Sequence, residues 1–372
     1  MQFPDSPPPH DDDSSFSAAL IGWQKAHGRH GLPWQNTRDA YRIWLSEIML
    51  QQTQVATVIP YYLRFLDRFP TILALATAPL QEIMESWSGL GYYSRARNLH
   101  RCARQVVEEH GGIFPSDPKL LADLPGIGRS TAAAIAAFSY GVRAAILDGN
   151  VIRVFSRVFG ITDFAGNKPV KDALWRRAET MLPSQDIEAY TQGLMDLGAT
   201  VCTRSKPHCT PCPFSARCMA FAEGKIDEFP VRKPKKSLPE RWISMLAITH
   251  ENRILLEQRP GKGVWGGLLS LPEVPLVKER AEKGIVAEED AVAIEKTAVL
   301  LGASGVGMQL PSFTHTFSHF RLHIIPYRTE LTRLGKIEAQ AGYVWFDLDR
   351  IEQAPLPSPV KKWLVGLRNN AA

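Results

Sequence analysis

The chain has 372 residues, 45% of them hydrophobic, which is enough for ordinary buried cores and suggests two domains. A net charge of +5 permits a polyanionic partner without identifying one. No apolar run is long enough to cross a bilayer, and the Pro- and Asp-rich start lacks the basic and apolar segments of a secretion signal. Residues 1–15 are therefore expected to be a disordered tail, and the protein to be cytoplasmic with no membrane partner.

Residues 16–224 show helix-spaced apolar positions and are expected to form an all-α domain. Helices are expected over Tyr41–Gln51, Val55–Phe69, Ser94–Glu109 and Ile187–Val201. Glu47 lies in the first, among Trp44, Leu45, Ile48, Met49 and Leu50. The usual fate of a helical glutamate is the surface, but burial among these neighbours would favour the neutral acid and raise its pKa. The loop from Gly89 to Leu99 carries Leu90 and Tyr92 between glycines; alone, these read as core or loop residues. Arg95 and Arg97 are candidates for phosphate contact, and Cys102 reads as a buried core thiol.

The segment Leu124-Pro125-Gly126-Ile127-Gly128-Arg129-Ser130-Thr131-Ala132 joins two helical stretches. Gly126 and Gly128 allow a tight turn with exposed N–H groups, and the following helix start adds positive potential, so a DNA phosphate could sit there. A plain helical corner would use the same glycines. Asp148 follows the apolar run Ala144–Leu147 and precedes Gly149-Asn150-Val151, where it reads as an N-cap. A helix start favours an ionised carboxylate.

Cys202, Cys209, Cys212 and Cys218 are spaced Cys-x6-Cys-x2-Cys-x5-Cys. In a reducing compartment such a cluster points to metal, either zinc or an iron–sulfur cluster. Arg204, Lys206, His208 and Arg217 surround it, as solvated charges or as phosphate contacts. Residues 225–240 form a basic, proline-punctuated linker. From 241 to 367 an α+β domain is expected. A hairpin spans Trp242–Thr249 and Ile254–Gln258, and further strands Ser312–Phe317, Phe320–Arg328 and Tyr343–Phe346. Its helices are Glu289–Ala298 and Pro359–Leu367, and a short tail covers 368–372.

These segments, from about Leu32 to Arg328, together resemble the MutY-type adenine DNA glycosylases of the endonuclease III superfamily. The resemblance implies a multi-domain protein: an all-α helix-hairpin-helix domain with a [4Fe–4S] loop, then a Nudix-like α+β domain. It implies one [4Fe–4S] cluster on Cys202, Cys209, Cys212 and Cys218, and phosphate binding at Gly126, Gly128 and Ser130. Ser130 stands where lyase members carry a Schiff-base lysine, so the resemblance implies a monofunctional enzyme. Glu47 would protonate the flipped adenine and help activate water; Asp148 would stabilise the cationic sugar; Asn150 would hold the acid–water network. Gln52, Leu90 and Tyr92 would contact the opened duplex, and Phe317, Ser318 and His319 would recognise 8-oxoguanine. Trp265-Gly266-Gly267-Leu268 resembles the entry to a Nudix fold, but Pro275–Asp290 lacks its glutamate box. The implied partner is double-stranded DNA with adenine opposite 8-oxoguanine or guanine, bound by a monomer. The alternatives are a lyase on damaged pyrimidines, disfavoured by Ser130; a Nudix hydrolase, disfavoured by the missing box; and a non-catalytic DNA-binding protein, disfavoured by Glu47 and Asp148.

Overall fold

The computed structural model describes residues 11–233, 237–261, 263–276, 288–332 and 342–369. The chain divides into two compact units, Met1–Ala78 with Arg97–Pro234, and Pro79–Ala96 with Lys235–Ala372. The segment Pro79–Ala96 is thus grouped with the C-terminal unit, whereas the sequence pattern placed it inside a continuous helical domain of residues 16–224.

In the first unit α1 spans Asp11–His27, α2 Ala40–Leu50, α3 Val55–Arg68 and α4 Ile72–Thr77. After α5 (Leu80–Ser86, in the second unit) come α6 (Ser94–His110), α7 (Pro118–Ala122), α8 (Arg129–Tyr140) and α9 (Gly149–Val158). Lys168–Thr180 is α10, Ile187–Asp196 α11 and Met219–Ala222 α12. The tail expected over residues 1–15 is corrected from Asp11 onward, because α1 already runs there. The reason is packing: Phe16 and Leu20 are buried, and Phe16 stacks on Phe214 at 4.1 Å in the cysteine loop. Residues 1–10 lie outside the described residues. Phe16 and Leu20 join Val151, Val154 and Phe155 of α9 and Tyr190 and Leu194 of α11 in one core. In α8, Ala132, Ala133, Ala134, Ala136 and Ala137 are all buried, so their small side chains let neighbouring helices approach closely.

The expected helix Ile187–Val201 changes character at its end, where Leu197–Val201 forms a π turn. A Cβ on Gly198 would stand 2.5 Å from Asn150 Cβ, so the wide turn brings backbone against α9 at a place where only glycine fits. Just before the turn, Asp196 is fully buried and accepts from Arg29 Nε (2.7 Å), Arg29 N–H (2.8 Å) and Gln192 Nε2 (2.8 Å).

The second unit is built on a mixed sheet. β1 spans Glu240–His250, β2 Arg253–Gln258, β3 Leu269–Ser270 and β4 Glu273–Leu276; β5 is Met308–Gln309, β6 Phe313–Thr316, β7 Arg321–Glu330 and β8 Tyr343–Asp347. The central order is β3-β2-β1-β7-β5, with β1 and β7 parallel and β4, β6 and β8 paired antiparallel to β1, β7 and β2. Alternation along β1 separates two cores. Ile243, Met245 and Ala247 face a cluster with Val360 and Leu364 of α14 (Ser358–Asn369), and Leu246 and Ile248 face Ile294 and Ala298 of α13 (Glu288–Leu300). A helix thus covers each face of the sheet. Residues 277–287, most of the stretch searched for a glutamate box, lie outside the described residues. Among the described residues no helix is long and apolar enough to cross a membrane.

The buried Asp196 gives a test of the first unit. Asp196→Ala leaves the Arg29 guanidinium and N–H without their acceptor and is expected to cost about 3 kcal/mol. Denaturant unfolding showing wild-type stability would contradict this.

Candidate active site

Helix α2 is set by Asp39, whose carboxylate accepts from Tyr41 N–H, and by the buried Trp44, Leu45, Ile48 and Met49. These apolar residues lock one face, and Glu47 is left on the wall of a cleft of about 1580 Å³. Gln52, Ser130, Asp148, Asn150 and Arg153 line the same cleft. The structure therefore brings Glu47 together with Asp148 and Asn150, which lie about a hundred residues further along the chain.

Glu47 is only partly open to the cleft. Burial, and then the nearby Asp148 carboxylate, pushes its pKa up to about 8. The carboxylic acid therefore keeps its proton at neutral pH and can give it away. Asp148 is the N-cap of α9: Oδ1 accepts from Asn150 N–H (2.9 Å) and Val151 N–H (2.8 Å), and Oδ2 accepts from Asn150 Nδ2 (3.5 Å). Burial still raises its pKa, with these donors and the Arg153 charge pulling the other way. The cap reading holds, but the helix start does not outweigh burial. Two carboxyls in unlike hydrogen-bonding surroundings can divide proton donation from charge stabilisation.

Arg153 was not singled out in the sequence, although its i, i+3 spacing from Asn150 on a helix was visible. Its Nη2 donates to Asn150 Oδ1 (2.8 Å) and Gly198 O (2.7 Å), and its Nε to Cys202 O (2.7 Å). One guanidinium thus joins the Asp148–Asn150 pair to the π turn and the first clustered cysteine. One helical turn on, buried Arg157 donates to Thr203 O (2.7 Å) and Cys202 Sγ (3.4 Å).

The hairpin follows its sequence. Gly126 has φ +82°, and a Cβ there would stand 2.9 Å from Asn98 Cβ, so both conformation and space demand glycine. Gly128 caps α8 with no side-chain bond to the first amides of the helix. Ser130 Oγ accepts from Leu147 N–H (3.0 Å), tying the hairpin helix to the residue before Asp148. Gln51 Nε2 donates to Gly126 O (3.3 Å), and the adjacent Gln52 has φ +59°.

Cys202, Cys209, Cys212 and Cys218 line one small apolar cavity with Val154, Leu197 and Phe214. Among the described residues no group of three or more His, Cys, Asp or Glu side chains is arranged to hold a metal ion. The donor set nevertheless fits a thiolate-bound group: four soft ligands share one cavity, and Arg157 points at Cys202 Sγ. Arg217 stacks over Phe16 and Phe214, which gives it a packing role.

In the second unit, Tyr92 is 53% exposed with φ +49°, whereas Leu90 is only 5% exposed. Arg95, expected to touch phosphates, is instead buried, its guanidinium donating to Leu90 O (3.4 Å) and Gly91 O (3.1 Å). Its side chain satisfies carbonyls that the tight Gly89–Gly91 turn leaves without helical partners. Phe317, Ser318 and His319 form the β6–β7 turn, closed by Phe317 N–H to Phe320 O (2.8 Å). Phe317 stacks on buried Phe320 at 4.6 Å, and Ser318 and His319 are exposed.

The Glu47 shift fixes a pH dependence. Between about pH 4.5 and 8 the folded chain holds a proton that the unfolded chain releases, so this group's contribution to stability falls as pH rises through that window. Glu47→Gln removes the dependence. The variant's Tm, relative to wild type, is expected to be higher at about pH 9 than at about pH 5; an equal difference at both would contradict the buried acid.

Residues 45–180 match a family described as HhH-GPD superfamily base excision DNA repair protein, and residues 244–365 match a NUDIX domain. The adenine DNA glycosylase of Buchnera aphidicola (subspecies Acyrthosiphon pisum) is 36% identical over 356 residues, covering 95% of this chain and 98% of that protein. The mouse and human adenine DNA glycosylases are each 32% identical and cover 94% of this chain, with 77% and 73% of their own lengths matched. A solved thermostable thymine-DNA glycosylase aligns with a TM-score of 0.52 and 32% identity over 57% of this chain and 97% of its own. A cleft with an acid poised near neutrality, a glycine hairpin and a four-cysteine loop occurs here in a chain matched over 94–95% of its length by the three adenine DNA glycosylases, and the chain belongs to the family of adenine-specific DNA glycosylases of base excision repair.

Proposed function

We propose that the enzyme removes adenine opposite 8-oxoguanine, and also opposite guanine, from double-stranded DNA and leaves an abasic site. The observation that supports this most is the pair of carboxyls on one cleft, with Glu47 protonated at neutral pH. Adenine must leave the stack to reach them, at roughly a few kcal/mol. The bond from sugar C1′ to base N9 then breaks, its electron pair going to adenine while Glu47 gives a proton to a ring nitrogen. Asp148 balances the positive sugar, and Asn150, held by Arg153, keeps the acid–water network in place. Water adds at C1′, and its proton returns to Glu47.

Ser130 has no amine to form a Schiff base, and its hydroxyl is engaged by Leu147 N–H, so water is the nucleophile and the enzyme is monofunctional. Gly126, Gly128 and Ser130 would hold a backbone phosphate, and Gln52, Leu90 and Tyr92 would contact the opened duplex, Leu90 by turning out of its buried position. Cys202, Cys209, Cys212 and Cys218 would hold one [4Fe–4S] cluster. Such a group cross-links its loop and can exchange one electron. The chemistry belongs to residues of the first unit. The reading of the opposite base belongs to Phe317, Ser318 and His319 in the second. The enzyme acts as a monomer on chromosomal DNA in the cytoplasm.

With a duplex carrying adenine opposite 8-oxoguanine, strand scission is expected only after alkali. Glu47→Gln and Asp148→Asn should each lower base release at least about a hundredfold while still binding the duplex. Scission without alkali, or normal turnover in either variant, would overturn this mechanism. Phe317→Ala combined with Ser318→Ala should lower the preference for 8-oxoguanine over guanine roughly five- to a hundredfold, the range for one lost hydrogen-bonding group. An unchanged ratio in single-turnover measurements would place that reading elsewhere.

A further inference from the structure

The turn that carries Leu90 and Tyr92 is held by the last helix of the second unit. Lys361 of α14 donates through Nζ to Ser88 Oγ (2.7 Å) and to Glu352 O (2.8 Å). Tyr93 donates through Oη to Leu356 O (3.2 Å) and accepts from Gly89 N–H (3.2 Å). Between these anchors the turn is braced internally. Trp87 Nε1 donates to Gly91 O (3.1 Å), and the Arg95 guanidinium, which holds Leu90 O and Gly91 O, lies over the Trp87 ring. Gly89 at φ +95° and Gly91 at φ +76° make the turn tight, so two hydrogen-bonded ends fix where Tyr92 stands.

The same short stretch supports the β6–β7 turn. Leu356, Val360 and Leu364 belong to the cluster on which Phe317 packs, and Trp363 stacks with Phe313 of β6 at 5.9 Å. Residues 356–364 therefore share one hydrophobic cluster with Phe317, of the turn proposed to read the opposite base, and hydrogen-bond the turn proposed to open the duplex. A side chain displaced at Phe317 presses on packed neighbours rather than on solvent, and a dense core passes such displacements on.

We propose that the segment from Leu356 to Leu364 is a shared mount that couples recognition of the opposite base to extrusion of adenine, with Lys361 and Tyr93 as positioning residues for the Ser88–Tyr92 turn. The inference rests on the reading of Tyr92 as a duplex-contacting residue and of Phe317–His319 as the reader. Neither Lys361 nor Tyr93 touches the reacting atoms in this account. Their effect falls on opening, and specifically on how much faster opening is opposite 8-oxoguanine than opposite guanine.

The test uses duplexes with fluorescent 2-aminopurine in place of adenine, opposite 8-oxoguanine or guanine, mixed rapidly with full-length enzyme. The rise in fluorescence as the base leaves the stack is expected to slow about five- to tenfold opposite 8-oxoguanine in Lys361→Met, which loses the bond to Ser88, and in Tyr93→Phe, which loses those to Leu356 O and Gly89 N–H. The advantage over guanine should shrink by a similar factor, and thermal unfolding should stay as in wild type. Lys361→Arg, which keeps a charged donor, should recover most of the rate. Wild-type opening in both variants, or Lys361→Arg as slow as Lys361→Met, would overturn the mount. Tyr92→Ala separates this from the underlying reading. Slow opening in Tyr92→Ala but not in Lys361→Met overturns the mount alone, whereas wild-type opening in Tyr92→Ala removes the turn from duplex opening and overturns both.

Discussion

Two carboxyl groups sharing one partly dehydrated cleft impose the central constraint on this molecule. Each would ionise freely in water. Held near each other and away from bulk solvent, Glu47 keeps its proton to about pH 8, and Asp148 is pushed in the same direction. Such an arrangement is unfavourable for folding above the ordinary carboxylate range, so the surroundings must be rigid enough to maintain it. The apolar face of α2 fixes Glu47. The N-cap bonds of α9 fix Asp148, Ser130 holds the residue before it, and Arg153 fixes Asn150 from behind.

The rest of the first unit follows from that need. The π turn at Leu197–Val201 places two carbonyls, Gly198 O and Cys202 O, where Arg153 can use them, and Gly198 permits the approach. The cysteine loop packs on Phe16 of α1 and receives Arg157 from α9. A group bound by the four cysteines would therefore stiffen the same helix that caps itself with Asp148. Charge and shape on the Asp148 side of the site are thus set by a contiguous set of hydrogen bonds, with the cysteine loop at one end and the Asp148 carboxyl at the other.

Much of this was legible in the sequence. The apolar spacing around Glu47 gave α2 within a residue of each end, and the glycine pair gave the hairpin. The hairpin read from Trp242–Thr249 and Ile254–Gln258 gave the first two strands of the sheet. What stayed hidden was tertiary. Nothing local to Asp11–Ser15 shows that Phe16 will find Phe214 some two hundred residues away and extend the helix back over an acidic stretch. Arg95 reads as a surface charge until the glycine turn beside it is seen to need a donor. Leu90 and Tyr92 read alike as core or loop residues, yet Leu90 is buried and Tyr92 exposed. Local pattern gives element and turn; it does not give the partner that a long polar side chain selects across the fold.

The claim that most depends on this geometry is that Glu47 is a neutral acid at physiological pH. Carbon-13 NMR of protein labelled at the glutamate carboxyls, compared between wild type and Glu47→Gln, assigns and titrates that single group in the intact enzyme. The account predicts a resonance that shifts with a midpoint near pH 8. A midpoint near the ordinary glutamate value, about 4.3, would contradict it and would leave the cleft without its proton donor.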